Sequence, residues 1–361
     1  MNLSPKVDLN DVSSFPSRRV EDWKYTDLRR WLREVPEAAG KIDVEPHGGP
    51  FASVKPDALV FANGRWLIHS ESEPEVDYGR QATVFGRKGR TERPAEPHLE
   101  ALRFVSDSGQ GGWQASVGFT VGPNDHVVLL ESYEGRAGGY IANAVLNIAV
   151  LEGGRLDRIV LADDTADAIA VSRADVALAK GAEFNQTIVS SGARLQRLET
   201  RIAHAGHGAA ARLDGLYILS DARHADLTTV VDHLGPDGLT SQLTKGVVRD
   251  TARGVFQGKI IVERGADGTD ARMGHHALIL GERAEVDAKP ELVIYADDVQ
   301  CAHGNTVGNL DESALFYMQQ RGIPVDEARA LLTQAFLIEV VDRIEHDAAR
   351  EVVRSWLTER L

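Results

Sequence analysis

The sequence of 361 residues holds one cysteine, Cys301. A single thiol excludes an internal disulfide and a four-cysteine metal site. It also fits a reducing compartment. Base is short as well: 40 Lys and Arg stand against 54 Asp and Glu, a formal net charge of −14. Phosphate contacts need clustered cations, so this balance argues against a nucleic-acid binder. The acid is spread along the chain and reads as a soluble surface. No run of about 18 apolar residues occurs, so no membrane span is expected. Met1 to Asp11 carries two aspartates and no apolar stretch, so it is not expected to be a signal peptide, and the expected location is cytoplasmic.

Catalytic signatures are missing too. Gly254-Val255-Phe256-Gln257-Gly258-Lys259-Ile260 is one residue short for a phosphate loop, and Ile260 stands where Ser or Thr would hold magnesium. There is no Gly-x-Ser-x-Gly elbow and no His-Glu-x-x-His pair. Asp163-Asp164 and Asp297-Asp298 are adjacent acids, which on a strand point to opposite faces and cannot share a proton.

What is present is apolar residue, at 43%, and glycine, at 34 residues. That much apolar residue fills a large core and excludes a disordered or fibrous chain. Three zones follow. Residues 1–100 comprise an N-terminal helical region and a loop-rich connector. Val20, Trp23, Leu28, Trp31 and Leu32 are spaced as one helical face. Ala58 to Ala62 and Trp66-Leu67-Ile68 read as strands joined by the turn Asn63-Gly64.

Residues 101–308 are short apolar segments cut by glycine, such as His126–Leu130, Arg158–Leu161 and Gly215–Leu219. Strand-sized segments bounded by turns predict an all-β zone. Gly154, Gly181, Gly208 and Gly235 lie 27 residues apart. A fixed period of that size predicts a repeat architecture. The Leu-x-x-Leu-x-Leu ladder of a leucine-rich repeat is missing. A β-helix fits better, with glycine turning the corners.

Residues 309–361 form a C-terminal helical region. Asp311-Glu312 opens a helix to Gln320, Gly322 sits where a C′ glycine belongs, and Pro324 opens the next. There Ala328, Leu331, Leu332, Ala335 and Phe336 make one stripe, and Leu337, Val340, Val341 and Ile344 make another on the opposite side. Two apolar faces need two things to pack on: two parts of this chain, or this chain and another protein.

The sharpest chemical cluster is Cys301-Ala302-His303. If the strand Glu291–Tyr295 continues in extended form, Cys301 and His303 share a face. Thiolate and imidazole together suit iron or zinc. Two ligands are too few for a closed site, and a lone cysteine is also commonly a small core residue. Alternation puts His275 and His276 on opposite faces, and neither is assigned a role. His204, His207, His224 and His233 show no ligand-like spacing.

Lys289-Pro290-Glu291-Leu292-Val293-Ile294-Tyr295-Ala296-Asp297-Asp298-Val299-Gln300-Cys301-Ala302-His303-Gly304 resembles the signature near the C-terminal end of the SufB/SufD core. Thr306-Val307-Gly308, Leu310-Asp311-Glu312, Leu315-Phe316-Tyr317 and Arg321-Gly322-Ile323-Pro324 continue it, as does Ala328-Arg329 through Ala335-Phe336. Arg19-Val20-Glu21-Asp22-Trp23-Lys24-Tyr25-Thr26-Asp27-Leu28 is similar to openings in the SufD branch. SufB members are longer and carry several cysteines, so the single cysteine favours that branch too.

The resemblance implies a mainly β fold: a right-handed parallel β-helix core with flanking N- and C-terminal α-helical regions. It implies a non-catalytic scaffold subunit of iron–sulfur cluster assembly, pairing with a SufB-like paralogue and a SufC-like ATPase. By the same resemblance His303 and Cys301 are ligands of a transient cluster or iron at the interface between the paralogues. No tightly bound cofactor is expected in the isolated chain. The helical region around Leu315, Phe316, Tyr317, Leu331, Leu332 and Phe336 is where the ATPase would dock. A homodimer of the isolated chain is left open. Two rival readings remain: a stand-alone β-helix enzyme acting on polysaccharide, and a purely structural scaffold without cluster ligands. No acidic cluster repeats at the 27-residue period, as the first of these would require.

Overall fold

The computed structural model describes residues 5–67, 82–86, 93–107, 109 and 111–361. The strand-sized segments are strands. The three apolar runs named above lie in His126–Gly135, Arg155–Asp163 and Ala210–Leu219. Successive strands from His98 onward do not pair with each other. They alternate between two sheets, and each pairs in parallel with the strand one coil away. Among the described residues one sheet has ten strands and the other eight. The result is a parallel β-solenoid of about seven turns.

The period is not fixed at 27. Ile169 is level with Leu195, Glu183 with Ala210, Gln196 with Ala225 and Arg253 with Glu285, so from His98 onward coil length runs from 26 to 32 residues. What repeats is a corner. Asn124, Gly153, Gly181, Gly208, Asp237 and Gly268 all have positive φ, and each stands two residues ahead of a strand in the ten-stranded sheet. Left-handed backbone is open to Gly and tolerable for Asn and Asp. Counting glycines alone therefore catches only Gly181 and Gly208 of the intended set; Gly154 and Gly235 stand beside the corner position.

Side chains alternate between the solenoid interior and its two outer faces. The interior is a continuous apolar core that includes Leu129, Val160, Phe184, Ile202, Leu227 and Phe256. One polar network inside it is fully matched. Arg158 donates to Glu131 and Gln186, and Thr200 donates to Gln186. Unpaired, such groups would cost several kcal/mol apiece (roughly 2–7).

Each outer face has its own cover. On the eight-stranded sheet it is the N-terminal segment, with Phe15, Trp23, Leu28 and Leu32 buried against Ile169, Val171 and Leu195. This segment is not the continuous helix that the spacing predicts. It is made of short 3-10 turns, Val12–Ser14 and Glu21–Trp23, and one four-residue α-helix, Leu28–Trp31. Val20 and Asp27 are extended and break the helix. Anchors to the sheet explain why. The Arg197 guanidinium lies 4.3 Å from the Trp23 ring centre, Arg201 donates to Asp22, and Thr26 donates to buried Asp226. Arg197 itself is fully buried between Glu199 and Asp226. Burial alone would raise the Glu199 carboxyl, but the charges of Arg197 and Arg201 hold it down to about 2. Fixed contacts every few residues override helix propensity here. The predicted hairpin is present: Asp57–Ala62 pairs antiparallel with Arg65–Leu67 across Asn63-Gly64, both with positive φ. Ile68 lies outside the described residues.

On the ten-stranded sheet the cover is helical. Glu312–Gln320 is capped by Asp311, whose carboxylate accepts from the Ser313 and Ala314 amides, and Gly322 follows with φ +86°. Val325–Val341 and Asp347–Thr358 come next. Leu337, Val340, Val341, Ile344, Val353 and Leu357 bury against Val128, Leu130, Ile159, Leu161, Leu216 and Val247. The second predicted stripe thus meets the solenoid, joined by Phe336 from the first. At the elbow between these helices Arg343 pairs with Asp214, and Glu345 pairs with Arg155 and Arg212.

Candidate functional site

The last coil positions the site. Strand Glu285–Ile294 ends the eight-stranded sheet, and strand Gln300–Gly308 ends the ten-stranded one. The chain turns a corner between them, so Glu291–Tyr295 does not run on into Cys301 as the sequence reading supposed. Cys301 and His303 share a face all the same, because Gln300–Gly308 is itself extended. Ala271 is level with Cys301, Met273 with His303 and His275 with Asn305. Ala271 and Met273 belong to the interior core. Cys301, His303 and Asn305 therefore lie on the inward-facing side of the strand, at the open end of the solenoid.

Exposure separates them. Cys301 is half-buried and packs against the interior core, while His303 and Asn305 are exposed. Burial pushes the Cys301 thiol up; a backbone hydrogen bond at Ala271 opposes this, and the Asp270 carboxylate adds to it. The group is thus a thiol at neutral pH in the isolated chain, and a bound cation would be needed to deprotonate it. Among the described residues no group of three or more His, Cys, Asp and Glu side chains is placed to hold a metal ion. Cys301 and His303 share an open face, and the described residues add no third metal-ligating side chain beside them.

His275 and His276 do point to opposite faces. The ring of His276 meets Thr306 on the outside, Nδ1 to Oγ1 2.7 Å. The ring of His275 is fully buried inside; its Nδ1 lies 2.7 Å from Asn305 Oδ1 and its Nε2 3.0 Å from the Tyr217 hydroxyl. Both His275 nitrogens are committed, so this ring is no metal ligand. Sequence reasoning missed Asn305 and Tyr217. The available signal was spacing: Asn305 is two residues past His303 on the same face, and 30 residues past His275, one coil. The ring centres of His204 and His233 lie 4.4 Å apart with the planes tilted by 32°, again one coil apart. Burial, with the charge of His204 second, lowers His233 to about 3. Gly254–Ile260 lies within the strand Arg253–Val262, extended and unlike a phosphate loop.

The six helical candidates divide. Phe316 (63% exposed), Tyr317 (59%) and Leu331 (42%) face outward, and no residue of Glu312–Gln320 is buried. Leu315, Leu332 and Phe336 are half-buried. Phe336 is held by Lys245, whose ammonium lies 4.6 Å from its ring centre and 2.9 Å from its carbonyl oxygen.

The family described as SUF system FeS cluster assembly, SufBD core domain, matches residues 104–336. The chain belongs to the SufBD family. The SufBD core takes in Cys301, His303 and all six helical candidates, and ends within helix Val325–Val341. The N-terminal anchor and the last helix lie outside it. Among SufBD relatives, the iron-sulfur cluster assembly protein SufD of Escherichia coli is 28% identical, over 97% of this chain and 90% of that one. A SufBD family protein of Synechocystis is 27% identical over 94% of this chain and 86% of its own length. One from Mycobacterium leprae is 30% identical over 94% and 90%.

Proposed function

We propose that this SufBD protein is a scaffold subunit of iron–sulfur cluster assembly with no catalytic chemistry of its own. It pairs with a SufB-like paralogue through the open end of the solenoid. The outward residues of Glu312–Gln320 and Val325–Val341 receive a SufC-like ATPase. His303 offers an imidazole and Cys301 a thiolate to a nascent cluster, and the paralogue supplies the other ligands. ATP-driven dimerisation of the ATPase moves the helical region and opens the interface, where iron and sulfide meet.

The observation that carries this reading is the last strand. It presents an open pair of soft and imidazole ligands beside an unpaired sheet edge, among the described residues. Unpaired edge N–H and C=O groups are a template for another chain. One observation favours a second reading, a scaffold without ligands here: Cys301 packs partly against the core. Both outer faces are covered by the chain's own segments, which leaves a polysaccharide groove little room.

The test is reconstitution with the two partners, ferrous iron and sulfide. His303→Ala is expected to abolish most of the cluster while the three-protein complex still forms. Unchanged cluster yield in His303→Ala would sink the ligand role, and failure to co-purify with either partner would sink the scaffold reading.

A further inference from the structure

Two fully buried groups and one exposed one form a directed chain beneath the proposed site. Asn305 Oδ1 can only accept, so the His275 nitrogen facing it, Nδ1, carries the hydrogen. Nε2 is then bare and accepts from the Tyr217 hydroxyl. Burial lowers His275 to about 4, with the Asn305 hydrogen bond opposing and the charge of His276 adding, so the ring keeps a single hydrogen at neutral pH. Phe256 stacks on the ring at 4.7 Å with planes 2° apart, which fixes its tilt.

The backbone makes room for this chain. Tyr217 lies across Gly246 and Gly254, and a side chain at either would collide with its ring. Gly246 is level with Tyr217, yet the hydroxyl reaches His275 on the strand beyond it. Tyr217 and His275 are fully buried, and the chain ends on Asn305 at the surface. The Asn305 oxygen is used by His275. Its amide N–H groups take no partner among the described residues, and Asn305 is one inward-facing position, about 7 Å, past His303.

We propose that Tyr217 and His275 are positioning residues that hold the Asn305 carboxamide as an N–H donor to sulfur bound at the Cys301–His303 face. This rests on the reading that a nascent cluster forms there. Amide donors to cluster sulfurs alter both stability and potential, and an oriented donor does so without reorganising.

The experiment uses the reconstituted three-protein complex loaded with ferrous iron and sulfide. Asn305→Ala is expected to shift the visible absorption of the cluster and shorten its lifetime under a chelator about five- to tenfold, the worth of one ordinary hydrogen bond. Asn305→Asp keeps the acceptor for His275 but removes the donor, and is expected to behave at least as badly. Tyr217→Phe deletes one hydroxyl and is expected to produce the same shift at smaller size. The thermal midpoint of the isolated Asn305→Asp chain, which keeps the acceptor for the buried His275 N–H, is expected to stay put, which separates this role from folding. An unaltered spectrum and lifetime in Asn305→Ala and Asn305→Asp, in a complex where His303→Ala does lose the cluster, overturns this inference alone. Retention of the cluster by His303→Ala overturns the reading of the site, and this inference with it.

Discussion

Strands Arg155–Asp163 and Gln300–Gly308 belong to one sheet, have the same length and are each paired in parallel with their neighbours. All but the two end residues of the first are buried; none of the second is. The difference is neighbours. A middle strand has one on each side and a core beneath it. Among the described residues the last strand has one neighbour, so half its ladder is unmade and its inward side chains face an open end. In the middle coils sequence serves packing. In the last coil apolar residues give way to Cys301, His303 and Asn305.

The largest expected effect lies in the middle. Phe184→Ala empties a fully buried interior position and is expected to cost about 3–5 kcal/mol. Urea denaturation measures this, and a loss under about 1 kcal/mol would mean that the interior is not close-packed. Next comes a pH effect. His233 and His275 have folded values near 3 and 4 against an ordinary 6.5. Between those limits the unfolded chain binds more protons, so their contribution is complete above pH 6.5 and is lost as the pH falls toward 4 and 3. Asp214 works the other way: burial, against Arg343 and Arg212, raises it to about 6, so its protonation favours the fold below that pH. Denaturation midpoints are expected to drop below pH 6.5 and to drop more steeply in Asp214→Asn. A flat profile from pH 7 to 5 would refute the balance. The smallest stability effect belongs to the exposed face. Phe316→Asp is expected to change unfolding by no more than ~0.5 kcal/mol yet abolish ATPase co-purification; retained binding would move the docking surface elsewhere.

The same contrast explains what could be read in advance. Strands, hairpin and C-terminal caps follow local rules, and Asn63-Gly64, Asp311 and Gly322 announce them. The shared face of Cys301 and His303 needs only a two-residue period. The N-terminal segment was misread as helix because its conformation is decided by Arg197, Arg201 and Asp226, far away in sequence. Coil length was misread because Asn124 and Asp237 serve as corners alongside glycine. Tyr217 and His275 are 58 residues apart, and only the stacking of coils brings them together.

The corners have one further consequence. From His98 onward they absorb every change in coil length, from 26 to 32 residues, while the strands stay in register. Each coil therefore advances the same distance whatever its sequence. Eight parallel strands, from His98–Ser106 to Gln300–Gly308, make seven steps, about 33 Å at the usual spacing. The solenoid is a ruler graduated in coils. A residue inserted at Asp237 leaves that reading unchanged, whereas deleting one whole coil would shorten it by a single graduation.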